Sequence, residues 1–191
     1  MRIEQLGLHH KEVLAPLLRA ITVPLSEYCF ANLYLFRESH GYEVLTDGDI
    51  FLKGRTYDGF TYLMPTVPAA QLDAARLQDL LRDVDFLFPV PEEWLGAFDP
   101  GQYEVSFHEG DADYLYTVEK MSTLAGRKLH KKRNLLKQFL ESYRHEALPL
   151  TTRRMDDARL VLDGWQKDAG LDASQTDYGP CREALDRYEE L

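Results

Sequence analysis

Cysteine is nearly missing from this chain. The 191 residues hold two, Cys29 and Cys181, far apart and with no Cys-x-x-Cys pair, which excludes a disulfide framework and a thiolate zinc site of the usual spacing. Both are expected as buried, reduced thiols within helices. Long apolar runs are missing too: nothing approaches the roughly 18 consecutive apolar residues a membrane-spanning helix needs. Met1-Arg2-Ile3-Glu4-Gln5 does not lead into a secretory apolar stretch, so a cytoplasmic location is expected. There is no Gly-rich dinucleotide loop, no P-loop and no Gly-x-Ser-x-Gly nucleophile elbow. Positive charge is scarce. Against 32 Asp and Glu stand 22 Lys and Arg, a net −10 that excludes coating of nucleic acid over the whole surface.

What the chain does have is apolar and aromatic mass: 45% hydrophobic residues, with 11 Tyr, 9 Phe and 2 Trp, enough to bury a core and to exclude global disorder. Residues 10–20 and 25–40 show helical spacing, with Ser26 placed to cap and Gly41 to stop. The period then changes. Tyr42–Thr46, Ile50–Gly54 and Gly59–Met64 are short β-branched and aromatic runs separated by Asp47-Gly48-Asp49 and Tyr57-Asp58-Gly59, the pattern of an antiparallel meander. Helical spacing returns over 69–83, Phe86-Leu87-Phe88 reads as a buried strand, and Tyr103–Phe107 alternates like another strand. Beyond the acidic stretch 108–113 the pattern is helical over 114–123, 127–144, 154–169 and 180–190, with one short strand at 147–151.

Against the acidic background one segment reverses sign. Arg127, Lys128, Lys131, Lys132, Arg133 and Lys137 contribute +6 with no acid among them, which leaves −16 on the rest of the chain. On a helical wheel Leu129, Leu136, Phe139, Leu140 and Tyr143 share one arc, the face expected to be buried. Lys132 falls inside that arc and Arg133 at its edge, whereas Arg127, Lys128, Lys131 and Lys137 are scattered around the rest. Two readings stay open. The cations can simply solvate a long helix, the Lys132 stem snorkelling. Alternatively, Lys132 and Arg133 line a groove for phosphate or another anion, with Arg127, Lys128 and Lys131 as outer contacts and the amides after Gly126 helping.

The strings Leu25-Ser26-Glu27-Tyr28-Cys29-Phe30-Ala31-Asn32-Leu33-Tyr34, Asp111-Ala112-Asp113-Tyr114-Leu115-Tyr116 and Gly126-Arg127-Lys128-Leu129-His130-Lys131-Lys132-Arg133-Asn134 resemble the phosphatidylglycerol lysyltransferase C-terminal-like family. The resemblance runs through essentially the whole chain. It implies tandem acyltransferase modules of the GNAT (acyl-CoA N-acyltransferase-like) type, and relatives that move an aminoacyl group from charged tRNA to a lipid or peptidoglycan amine or hydroxyl. Family members similar to this chain are longer. The expected fold is therefore α+β: a GNAT-like mixed sheet flanked by helices in residues 1–108, then the basic helix and an incomplete second module in 109–191. The Gln/Arg-x-x-Gly-x-Gly/Ala loop of ordinary acetyl-CoA enzymes is absent.

The remaining candidates each carry a plain alternative. His130, among the cations, could accept a proton from an attacking amine or be a surface histidine. Asp111 and Asp113 suit a turn or cap better than a cation site, and His9, His10, His40, His108 and His145 show no ligand spacing, so no metal is expected. Tyr114, Tyr116, Tyr143 and Trp165 suit a core or the lining of a cleft. The expected function is transfer of an activated acyl or aminoacyl group to an amine or hydroxyl, with acyl-CoA or aminoacyl-tRNA as donor and no certain cofactor. The substrate- or anion-binding residues are then Arg127, Lys128, His130, Lys131, Lys132 and Arg133, and the expected partner is a phosphate-bearing small molecule or charged tRNA. The rival is a noncatalytic module of the same fold that binds an anion or a partner protein.

Overall fold

The computed structural model describes all of residues 1–191. Five strands form one sheet in sequence order: β1 Arg2–Gln5, β2 Glu43–Asp47, β3 Asp49–Arg55, β4 Thr61–Pro65 and β5 Phe86–Leu87. The first four pair antiparallel and β5 runs parallel to β4, so the sheet is mixed and the α+β expectation holds. The β2–β3 hairpin closes where Asp47 faces Asp49 across Gly48, whose φ of +82° is one a side chain would resist. The β3–β4 connection is held by the Thr56 N–H to Phe60 C=O bond at 2.8 Å, with Gly59 at φ +96°.

Strand alternation sends two sets of side chains to opposite faces. Val44, Leu52, Tyr62 and Met64 meet helices α1 (Lys11–Ala20) and α2 (Phe30–Leu35) through Leu14, Leu18, Phe30, Leu33 and Tyr34, the larger core. Leu45, Phe51 and Leu63 meet Leu77 and Leu80 of helix α4 (Ala74–Leu81) on the other face, after the short helix α3 (Arg37–His40) and the strands that follow it. Helix α4 is the crossover that makes β4 and β5 parallel. Its N-cap Asp73 accepts the Arg76 N–H at 2.8 Å.

The expected helix 25–40 is broken. Ser26–Tyr28 is a 3-10 turn, α2 and α3 are separated at Phe36, and Ser26 makes no side-chain cap. Gly41 ends the run in the left-handed region, φ +56°, as expected. Both cysteines are exposed rather than buried: Cys29 is the N-cap of α2, and Cys181 lies on α8 (Tyr178–Asp186), where no residue is buried. Tyr103–Phe107 and 147–151 form no strand. Alternation is present, but neither segment pairs with a strand of the sheet, and Val105 and Phe107 stand in solvent. Strand β5 is only two residues long and Phe86 is exposed, so it is an edge rather than a buried strand.

The second half contains α5 (Val118–Thr123), α6 (His130–Ser142), α7 (Met155–Ala169) and α8, without a strand. From 104 to 150 every residue is exposed except Leu124, Leu129 and Arg133. Beyond that, Met155 is buried, Leu191 packs against the larger core, and the Arg37 guanidinium donates to both carboxylate oxygens of Glu183 at 2.9 and 3.0 Å. Helices α7 and α8 are tied by Arg159 to Asp186 and by the Tyr178 hydroxyl, which donates to Asp163 at 2.7 Å. No helix is long and apolar enough to cross a membrane.

Candidate functional site

The basic segment opens in a turn that needs unusual backbone. Leu124 has φ +48° and Gly126 φ +94°; a 3-10 turn over Arg127–Leu129 then leads directly into α6. Leu124 is the chain's one non-glycine residue with positive φ, a conformation that persists only where surrounding bonds enforce it. Arg133, one turn into the helix, supplies them: its Nη1 donates to the carbonyl oxygens of Leu124 and Gly126, the latter at 2.9 Å. Arg133 is thereby half-buried against its own loop, with that nitrogen turned toward backbone and not toward a groove.

Arg127, Lys128, His130, Lys131 and Lys132 are exposed. None of these four cations, nor Arg133, has a carboxylate within 4.0 Å; the only ion pair of the segment is Lys137 with Glu141 at 3.7 Å. Elsewhere Arg37, Arg76, Arg82, Arg159, Arg182 and Arg187 all hold acidic partners. The burial expected for the apolar arc of α6 is not found. Leu136, Phe139 and Leu140 are each close to half exposed and Tyr143 more so, because the strandless second half offers nothing to cover them. Lys132 consequently lies on an open helix, not inside a buried stripe. Tyr114, Tyr116, Tyr143 and Trp165 are exposed as well, so the core alternative for them is not met.

Two of the strings that carry the family resemblance touch in space: the Ser26 N–H donates to Asp113 Oδ2 at 2.7 Å. Beside this bond, burial pushes the Glu27 carboxyl up, Asp113 and Asp111 adding to the effect. The third string, 126–134, is closed on itself by Arg133. The structure thus gathers the cations on one loop and helix start without bringing His130 to an acidic or nucleophilic partner.

One grouping could not be found from spacing. Glu4 of β1 comes close to His9 and His10 in the turn before α1, one ligand-capable atom of each lying within 4.8 Å of the others. Two adjacent histidines carry no such signal in sequence, since their partner arrives from the sheet edge. Burial, with His9 next to it, holds the His10 pKa below the ordinary imidazole value.

Comparison with known proteins adds a family and a fold. The family model described as "Phosphatidylglycerol lysyltransferase, C-terminal" matches residues 19–191. A curated relative, the uncharacterized protein MYCGA3080 of Mycoplasmoides gallisepticum, is 34% identical over 74 residues, 38% of this chain. That match spans only 23% of the relative's length. A solved structure, of a conserved protein of unknown function from Bacteroides thetaiotaomicron VPI-5482, superposes on the entire chain with a TM-score of 0.79 at 20% identity. The superposition covers 68% of that protein, and at such low identity it speaks for fold alone.

Proposed function

The chain belongs to the phosphatidylglycerol lysyltransferase C-terminal family, and on that premise we propose that it serves the transfer of an activated aminoacyl group to an amine or hydroxyl acceptor. Arg127, Lys128, Lys131 and Lys132 hold the phosphates of the donor. The observation that carries the reading is the clustering of these four on one short segment, all exposed and none with an acidic partner, in a protein of net charge −10. Unpaired fixed cations keep their full attraction for an external anion. They are spread around one helix start instead of converging on a point, which favours the extended backbone of aminoacyl-tRNA over a single phosphate group or acyl-CoA.

In this reading Arg133 is a positioning residue. It fixes the loop so that the amides of residues 127–129, which open toward the helix start, add their partial positive charge to the cations. Transfer itself relies on placing the acceptor beside the activated carbonyl, a contribution of orientation more than of covalent catalysis. The division into residues 1–108 and 109–191 belongs to the same proposal, the sheet-bearing part acting as scaffold for the basic helix. A binding role without catalysis has one observation in its favour, the exposed arc of Leu136, Phe139 and Leu140, since apolar patches of this kind mark contact surfaces.

Equilibrium binding of charged tRNA and of acyl-CoA to the wild type and to a Lys128→Glu/Lys132→Glu variant tests the proposal. Loss of tRNA affinity by at least about tenfold, with unchanged circular dichroism, is expected from removing two phosphate contacts and adding repulsion. Equal affinity of the two proteins would refute it.

A further inference from the structure

Glu4, His9 and His10 stand far in sequence from the basic segment and take no part in the function proposed above. The His10 Nδ1 accepts the Gly7 N–H at 3.0 Å, which leaves the proton of the neutral ring on Nε2. That Nε2 is buried and has no hydrogen-bond partner. Glu4 Oε2 lies 3.9 Å away, too far to accept. His10 itself is only 9% exposed, so water does not readily compensate this atom. The His9 ring lies against it, centroids 3.9 Å apart and planes tilted by 39°. Gly7 leaves room for the pair: a Cβ there would sit 2.9 Å from both Cε1 and Nδ1 of His9.

We propose that Glu4, His9 and His10 form a binding site for a divalent transition-metal ion of the Zn2+ class, with water completing the coordination. Two imidazoles and one carboxylate suit such an ion, whereas Mg2+ and Ca2+ prefer sets made of oxygen alone. Coordination explains the otherwise orphaned Nε2 and the convergence of a strand residue with two turn residues. The proton balance is simple. The coordinating tautomer carries its proton on Nδ1, so uptake shifts one proton within the ring, releases none, and gives up the Gly7 amide bond. Ligand atoms around Zn2+ at about 2.1 Å lie roughly 3.4 Å apart, so the three side chains close by about 1 Å as the ion enters. The acidic character of the protein favours arrival of a cation.

Titration of the 191-residue protein with Co2+, followed by visible absorption, tests the site, with thermal unfolding in Zn2+ as a second measurement. The expected result is saturable uptake at one equivalent with the intense bands of low-coordinate Co2+, and a rise in Tm with Zn2+. His9→Gln and Glu4→Gln each weaken uptake at least about tenfold and abolish the Tm rise. His9 is exposed and Glu4 partly so, which keeps these variants folded where one at His10 would disturb the core. Uptake of equal strength in wild type and both variants, reflecting scattered binding at His40, His108, His130 or His145, would overturn the proposal. So would a wild type whose Tm does not respond to Zn2+.

Discussion

A guanidinium bonded to backbone carbonyls has spent those N–H groups, and Arg133 is the residue where the structure departs most from what sequence pattern suggests. Its place at the edge of the apolar arc was legible; that its Nη1 would turn back to Leu124 and Gly126 was not, because the partners are main-chain atoms that any sequence supplies. Arg37 follows the opposite course. It donates to both oxygens of Glu183 and lies over the Tyr34 ring with 4.0 Å from Cζ to the centroid, joining α8 to the larger core. The hydrogen bonds from Arg37 hold the Glu183 carboxyl below the usual carboxylate range, and the same bonds favour the protonated guanidinium. A depressed carboxylate pKa means the pair's stabilisation is complete above the unfolded-state value near 4.5 and is lost as pH falls through the folded-state value. Glu183→Gln should therefore cost about 1–2 kcal/mol in urea unfolding at pH 7, and this difference should shrink toward zero in acid. A cost independent of pH would count against the ion pair as its source.

At the scale of elements, the three central strands were legible to within a residue or two at each end, because Gly48 and Gly59 punctuate alternating runs. Helices α1, α4, α6 and α7 followed from apolar periodicity in the same way. Periodicity reports a face but not what covers it. That is why the arc of α6 was expected to be buried and is exposed, and why Tyr103–Phe107 alternates without becoming a strand. Gly54 in β3 illustrates packing that no pattern predicts. Tyr42 and Tyr62 flank it from the neighbouring chain segments and join hydroxyls at 2.9 Å, with burial pushing the Tyr42 pKa up to about 12 and that of Tyr62 higher still. A Cβ on Gly54 would lie 2.6 Å from Tyr62 Cζ and 2.7 Å from Tyr42 Cε1. Gly54→Ala must displace two buried rings and should destabilise the fold by about 1–3 kcal/mol in chemical unfolding. A neutral result would mean that the tyrosine pair can shift without loss.

For the molecule as a whole the decisive property is the distribution of charge. A net −10 protein repels polyanions at long range, yet residues 127–137 gather +6 and leave five cations without an acidic partner, four of them exposed and Arg133 bonded to its own loop. The sequence alone exposed this asymmetry and the family; the structure added that no acid from elsewhere in the chain folds back to pair with the basic loop, while several pair with other arginines. The most direct measurement is the salt dependence of charged-tRNA binding to the complete 191-residue protein. With about four phosphate contacts to single-stranded backbone, log affinity should fall against log salt with a slope of roughly −3, and the Lys128→Glu/Lys132→Glu variant should flatten it. A slope near zero, or one the variant leaves unchanged, would contradict the account.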